Sequence, residues 1–230
     1  MKPHVICHMI VSLDGRIHPS RWTSSPDGAS KAWSEVYEAI HEEFGADAWL
    51  VGRVTMAEMT KAKANPPGAG TQPPRPRHIA RRDAGSYAVT IDRSGKLQFD
   101  KPDIGGDHVV VLLGRDVPDS HLAGLVAAGV SYILAEDEAM SIDPLLEVLE
   151  RDFGIRTLLL EGGGATNGRL MAAGLVDEIS LLIAPAIDGA DGVEGVFDAG
   201  ERLAGKAELS LLSTATRPHG LVHLRYAVAR

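Results

Sequence analysis

The segment Arg156-Thr-Leu-Leu-Leu-Glu-Gly-Gly-Gly-Ala-Thr-Asn-Gly-Arg-Leu-Met171 constrains the fold more than any other stretch of the chain. It reads as a buried strand, a glycine turn and the first turn of a helix. Gly162, Gly163 and Gly164 carry no side chains, so a ligand can approach the backbone, and glycine also reaches positive φ without steric cost. Unpaired N–H groups at the following helix start, together with the helix dipole, favour a phosphate or diphosphate. Strand–glycine–helix junctions are where open α/β folds hold nucleotides. The same glycines suit tight helix–strand packing equally well, and that alternative stays open at this point. The G-x-G-x-x-G pattern is not met, because Asn167 stands at the third glycine position and the segment lies late in the chain. Gly200-Glu-Arg-Leu-Ala-Gly-Lys-Ala207 approaches a P-loop, but Ala207 replaces the Ser/Thr that binds magnesium, and no apolar strand leads into it. It is expected to be a surface turn.

The chain has 230 residues, enough for one large α/β domain or two small ones, and 44% are hydrophobic. The reading adopted is one domain over residues 1–230, since neither an internal repeat nor a linker interrupts it. No segment approaches the ~18 apolar residues of a membrane span. A net charge of −8 argues against a nucleic-acid partner, whose phosphates call for Lys and Arg. Val5–Val11 is a short apolar run with no small-residue cleavage site after it, so no signal peptide is read. The one cysteine, Cys7, excludes an internal disulfide and is compatible with a cytoplasmic location. It lies among apolar neighbours, where a thiol is expected to be inert.

Hydrophobic patterning alternates strands with helices. Strands are expected at His4–Ser12, Asp47–Val51, Tyr87–Ile91, His108–Leu113, Val130–Ala135 and Glu178–Ala184. Helices are expected at Ser30–Phe44 with Gly45 as a stop, Thr55–Lys61, Asp119–Ala128, Ser141–Phe153 with Ser141 as N-cap, and Ala165–Ala173. Lys61–Arg82 is proline-rich and reads as an irregular loop. Ala207–Ala215 and Leu221–Ala229 read as an antiparallel hairpin. The pattern predicts an α/β fold with a mainly parallel sheet covered on both faces and an antiparallel C-terminal hairpin.

Three segments then point one way: Met9-Ile-Val-Ser-Leu-Asp-Gly-Arg-Ile17 after the first strand, Leu50-Val-Gly-Arg-Val-Thr55 after the second, and Leu160-Glu-Gly-Gly-Gly164 after a late one. In this order they resemble the reductase domain of bacterial riboflavin biosynthesis, a family with the dihydrofolate-reductase-like fold. The resemblance covers essentially the whole chain. It implies a three-layer α/β/α enzyme, usually a homodimer, that uses NADPH to reduce 5-amino-6-(5-phosphoribosylamino)uracil at its ribosyl carbon. Hydride transfer needs neither a metal nor a side-chain nucleophile, because the cofactor carries the chemistry. The protein has to position the reacting carbons and exclude water.

Family pattern and residues together give cofactor contacts at Gly52, Arg53, Thr55, Gly162, Gly163, Gly164 and Ala165. Thr55 can cap its helix while that helix end faces a phosphate. Arg115 can meet the adenosine 2′-phosphate and select NADPH, or be an ordinary solvated arginine. The substrate is assigned to Ser12, Asp14, Gly15, Arg16, Trp22 and Glu161. Asp14 is the catalytic candidate, a polar anchor or proton donor whose pKa a bound heterocycle would raise; as Asp-Gly it is equally a turn former. Glu161 can accept hydrogen bonds from the pyrimidine edge or stiffen the helix start. Trp22 and Trp33 can wall a planar ring or belong to the core.

The resemblance departs at two places. No L-T-x-R segment aligns with Asn65–Arg77, where Arg75 and Arg77 are the available phosphate contacts, and Ser20–Gly28 also differs from the family pattern. One cysteine cannot supply the P-C-x-x-C of the zinc deaminase to which the reductase is often fused. No metal site is read: His4 with His8, and His219 with His223, stand four apart on strands, about 13 Å and too far for one ion. The alternatives are an enzyme of the same superfamily reducing a pterin or other flat heterocycle, and a non-catalytic nucleotide-binding protein.

Overall fold

The computed structural model describes residues 1–62, 64–66 and 72–229. Part of the proline-rich stretch 61–82, expected as a loop, therefore lies outside the described residues. In chain order the first elements are β1 (His4–Val11), α1 (Ser30–Phe44), β2 (Ala48–Gly52), α2 (Arg53–Thr60), β3 (Arg77–His78) and β4 (Tyr87–Asp92). Next come β5 (Asp103–Ile104), β6 (Asp107–Leu113), α3 (Asp119–Ala127), β7 (Ser131–Leu134), α4 (Ile142–Phe153) and β8 (Thr157–Leu160). The last are α5 (Gly164–Ala172), β9 (Glu178–Ile183), β10 (Glu208–Thr216) and β11 (Val222–Ala229). The chain divides into two compact units, Met1–Pro3 with Asp47–Leu158, and His4–Ala46 with Leu159–Arg230.

In the first unit β2, β4, β6 and β7 lie side by side and parallel, while β5 runs antiparallel to β6 and β3 antiparallel to β7. Every residue of β6 from His108 to Leu113 is buried. Successive side chains leave a strand on opposite faces, so a run buried throughout is covered on both. That is why these strands read as continuous Val/Ile/Leu runs. Helix α4 buries Leu145, Leu146, Leu149 and Phe153 at helical spacing and stops at Gly154, whose φ of +72° is left-handed. Each fully buried leucine stabilises the fold by about 1.5–3 kcal/mol. Ser141 stands at the N-cap as expected, but its hydroxyl makes no cap bond; instead Asp137 accepts from the Ser141 N–H at 3.0 Å.

In the second unit β1 and β9 are parallel, β11 runs antiparallel to β9, and β10 antiparallel to β11. The expected C-terminal hairpin is present. Helix α1 has the expected bounds and ends at Gly45 with φ +54°. It buries Trp33 and Ile40 against Leu182, Ala184, Ala186 and Leu221. Trp33 Nε1 donates to the His219 carbonyl at 3.1 Å, which fixes α1 to the turn between β10 and β11.

A polar chain runs through this second core. The Ser180 hydroxyl stands 3.0 Å from His8 Nδ1 and 2.8 Å from His223 Nε2, while His8 stacks on Tyr37 with ring centres 4.3 Å apart. The two buried histidines are thus linked to each other rather than to their sequence neighbours His4 and His219. Burial lowers the His8 pKa to about 4.

The two-residue strands β3 and β5 carry too little pattern for periodicity to find them. β10 is exposed on both faces along its whole length, unlike the other long strands.

Candidate active site

The Ser12–Arg16 turn follows β1 directly. Ser12 N–H donates to the Arg16 carbonyl at 3.0 Å, and Arg16 N–H donates to Ser12 Oγ at 3.0 Å. Gly15 sits at φ +76°, where a side chain would be strained. The Asp14 carboxylate accepts from Ser12 Oγ at 2.5 Å and from the backbone N–H groups of Asp188 and Gly189 at 3.1 and 2.8 Å. These donors, the Ser12 hydroxyl foremost, lower its pKa to about 2. Donors that favour the ionised form converge on Asp14 in the protein by itself, whereas the rise expected beside a bound heterocycle belongs to the complex.

The glycine corner follows β8. None of Gly162, Gly163 and Gly164 lies at positive φ, so conformational freedom is not what selects glycine here. Space is. A Cβ on Gly164 would overlap the Gly195 carbonyl, and one on Gly168 would overlap the backbone of Ala199. The close-packing alternative thus accounts for Gly164. Gly163 differs, because the nearest atoms to a Cβ there all belong to the Glu194 carboxyl group, at 3.4–3.8 Å. Gly163 is the N-cap of α5, and the Ala165 N–H donates to Glu194 Oε1 at 2.8 Å.

Segment 186–198 ties these two motifs together. The Ala186 carbonyl accepts from Leu13 N–H, and Asp14 holds Asp188 and Gly189. Arg16 donates to the Val193 carbonyl and bridges Gly195, and Val196 N–H donates to Gly15. Asp198 N–H donates to the Gly164 carbonyl, and Asn167 Nδ2 to the Val196 carbonyl. Sequence reasoning missed this segment and Glu194 entirely. Its glycines and isolated acids carry no periodicity.

Glu161, the first residue after β8, pairs with His41 of α1, Nδ1 to Oε1 at 2.9 Å. The hydrogen bond to Glu161 raises the His41 pKa, against a smaller desolvation effect. Burial, with a smaller push from Glu161, raises the Cys7 thiol pKa, so the thiolate is not accessible. His41 was not foreseen, since one histidine on a helix gives no sign of what it will face.

Trp22 is half-buried against the α1 core with its ring centre 6.0 Å from Trp33, and its Nε1 has no hydrogen-bond partner among the described residues. Trp33 is core, at 2% exposure.

The other expected contacts lie in the first unit. Helix α2 begins at Arg53 with Gly52 as N-cap, so Thr55 is its third residue and does not cap it. Gly52 leads straight from β2 into α2 without a loop, which moves the helix start two residues earlier than its sequence suggests. Arg115 is exposed and touches Asp116 at 3.3 Å. Arg75 and Arg77 are engaged by Asp119 and Asp152 at 2.8 and 2.9 Å.

The sequence model of the RibD C-terminal domain matches residues 3–223. The 2,5-diamino-6-ribosylamino-4(3H)-pyrimidinone 5′-phosphate reductase of Aquifex aeolicus is 28% identical over 193 residues, 84% of this chain and 81% of that protein. The enzyme of the same name from Methanothermobacter thermautotrophicus is 27% identical over 199 residues, 82% of this chain and 81% of that protein. Among solved structures, a pyrimidine reductase-like protein of Corynebacterium diphtheriae has a TM-score of 0.69 at 20% identity, covering 99% of this chain and 92% of that one. The riboflavin biosynthesis reductase of Saccharomyces cerevisiae has a TM-score of 0.58 at 18% identity, covering 99% and 90%. These structural likenesses speak for the fold. The match over nearly all of its length makes this chain a member of the RibD C-terminal domain family.

Proposed function

We propose that this protein is an NADPH-dependent reductase of a ribosylaminopyrimidine 5′-phosphate in riboflavin biosynthesis. The observation that carries the reading is the binding of the Ser12–Arg16 turn and the glycine corner to one segment, 186–198, within one compact unit of a RibD-family chain. The uracil substrate implied by the resemblance differs from the diaminopyrimidinone in the relatives' names in having oxo in place of one ring amino group. Both carry the phosphoribosylamino arm, and that arm is reduced.

One observation supports a nicotinamide cofactor here: the atoms nearest to a Gly163 Cβ, and the acceptor of the Ala165 N–H, belong to an anionic side chain, the Glu194 carboxyl group. Gly162, Gly163, Gly164 and Ala165 are assigned to its diphosphate. The family resemblance also assigns Gly52, Arg53 and Thr55 to the cofactor, and Arg115 to its 2′-phosphate. When bound, the reduced nicotinamide supplies a hydride for the ribosyl carbon. Ser12, Gly15, Arg16, Trp22 and Glu161 are assigned to the substrate. Asp14 keeps its place as the catalytic-turn residue, now as an ionised acceptor that fixes the loop. In the protein by itself its donors hold the carboxylate ionised at neutral pH, which favours the polar-anchor role.

A thermal-shift series with NADPH, NADH, a pterin and a ribosylaminopyrimidine phosphate tests the assignment, because a ligand that binds only the folded state raises Tm. The expected result is stabilisation by NADPH and by the ribosylaminopyrimidine phosphate. Stabilisation by the pterin alone would contradict it.

Three further readings accompany this one. The family match across both units supports residues 1–230 as one reductase domain. A homodimer is supported by the edge strand β10, whose Leu209, Leu211 and Leu212 are each more than half exposed. A monomer mass by light scattering would contradict it. A cytoplasmic location is read from the lone cysteine, Cys7, which is a buried free thiol.

A further inference from the structure

The helix start assigned to the cofactor diphosphate already holds an anion of the chain's own. Glu194 Oε1 takes the Ala165 N–H at 2.8 Å, and the two carboxylate oxygens lie 3.4 and 3.6 Å from the point a Gly163 Cβ would occupy. A second polar group lies at the same corner, beside the Thr166 side chain. Asn167 is fully buried, its Oδ1 has no hydrogen-bond partner among the described residues, and that atom lies 3.3 Å from the point a Gly162 Cβ would occupy. A buried acceptor without a donor is unfavourable, and this one lies under the same turn, behind Gly162.

Glu194 also sits on a segment with pivots at both ends. Gly189 and Gly192 before it and Gly200 after it have φ of +74°, +69° and +69°. Asp14 holds the first pivot through the N–H groups of Asp188 and Gly189. Beyond it, residues 193–198 touch both motifs, through Arg16 and Gly15 on one side and Gly164, Ala165 and Asn167 on the other.

We propose that Glu194 is a built-in competitor of the cofactor: NADPH expels its carboxylate from the Ala165 N–H and lifts residues 193–198 from the glycine corner and from Arg16. This rests on the reading of that corner as the diphosphate site. One N–H cannot serve two anions, and like charges a few ångströms apart repel. Two consequences follow from the geometry. Cofactor affinity is lower than the bare corner would give, and the contacts broken on one side are continuous with those that hold the substrate turn. Cofactor arrival therefore frees Arg16 and Gly15 for the substrate, which couples the two binding events.

The test is calorimetric titration of NADPH and of inorganic pyrophosphate into the full chain and its Glu194→Gln variant, with the Ala165 amide followed by NMR. Glu194→Ala is a second variant that removes the carboxyl group altogether. The expected result is an Ala165 amide that moves on NADPH addition, and a Kd lowered roughly fivefold to tenfold for both ligands in both variants. A Kd that is unchanged or raised, with the Ala165 amide still moving, overturns the competitor role and leaves the cofactor site standing. An Ala165 amide untouched by saturating NADPH overturns both.

Discussion

His41 Nδ1 lies 2.9 Å from Glu161 Oε1, so a histidine in the last turn of α1 holds the carboxylate that follows β8. The pair keeps Glu161 from turning freely, and Glu161 is the group assigned to the pyrimidine edge. Because the His41 pKa is raised, the charged pair is complete at pH values below the folded pKa and is lost as pH rises through it. The KM for the pyrimidine should therefore rise with pH through that range. His41→Ala should raise KM about tenfold and flatten its pH profile, with a smaller effect on kcat, while His41→Gln recovers part of the loss at high pH. Identical pH profiles in wild type and variant would contradict the positioning role.

Two adjacent glycines should respond in opposite ways. The atoms nearest to a Cβ at Gly163 are the flexible end of Glu194 and the backbone there is ordinary, so apo Gly163→Val should melt within about 2 °C of wild type. Its Kd for NADPH should rise at least about tenfold, because the side chain fills the diphosphate place. Gly164→Ala drives a methyl into the Gly195 carbonyl and should lower Tm by several degrees, at about 1–3 kcal/mol of overpacking. Paired thermal melts and NADPH titrations check both. Equal Tm losses in the two variants would remove the distinction.

This contrast also shows what the chain's letters disclose. Helix α1 with its Gly45 stop, the valine-rich β6 and the β10–β11 hairpin follow from apolar period and turn residues, which act locally. The glycine corner is visible too, since three glycines after a Leu-Leu-Leu run have few uses. Which of them face a ligand is not visible, because Gly164 is decided by Gly195, far along the chain. Glu194, His41 and the lowered pKa of Asp14 are equally non-local: each depends on a partner brought in by tertiary structure.

Asp14→Asn tests the revised role of that residue. The amide keeps the size but replaces one acceptor oxygen with a donor, so it cannot take Ser12 Oγ, Asp188 N–H and Gly189 N–H together. Turnover should fall at least about tenfold while the Kd for NADPH changes less than about threefold. Steady-state kinetics with a separate binding titration check this. Unchanged turnover would make Asp14 a turn former alone.

Stability should fall on mild acidification. Burial lowers His8 and His108 to about 4 each, below the ordinary 6.5, so the unfolded chain takes up protons that the folded chain refuses. Their contribution is full above pH 6.5, declines as pH falls, and levels off below about 4. His41, raised, works in the opposite direction over part of this range. For the largely buried His8 the full shift corresponds to roughly 3 kcal/mol. Thermal melts should show Tm dropping roughly 5–10 °C between pH 7 and 5, and His8→Asn should reduce that slope. A Tm independent of pH over this interval would show that the buried histidines do not govern acid stability.

The most direct measurement is turnover of the diaminopyrimidinone ribosylamino 5′-phosphate with NADPH, following cofactor oxidation and product mass together. The account predicts stoichiometric NADPH oxidation and a ribityl product that has gained two hydrogens. NADPH that binds at the glycine corner but is never oxidised by this substrate or its uracil counterpart would contradict it.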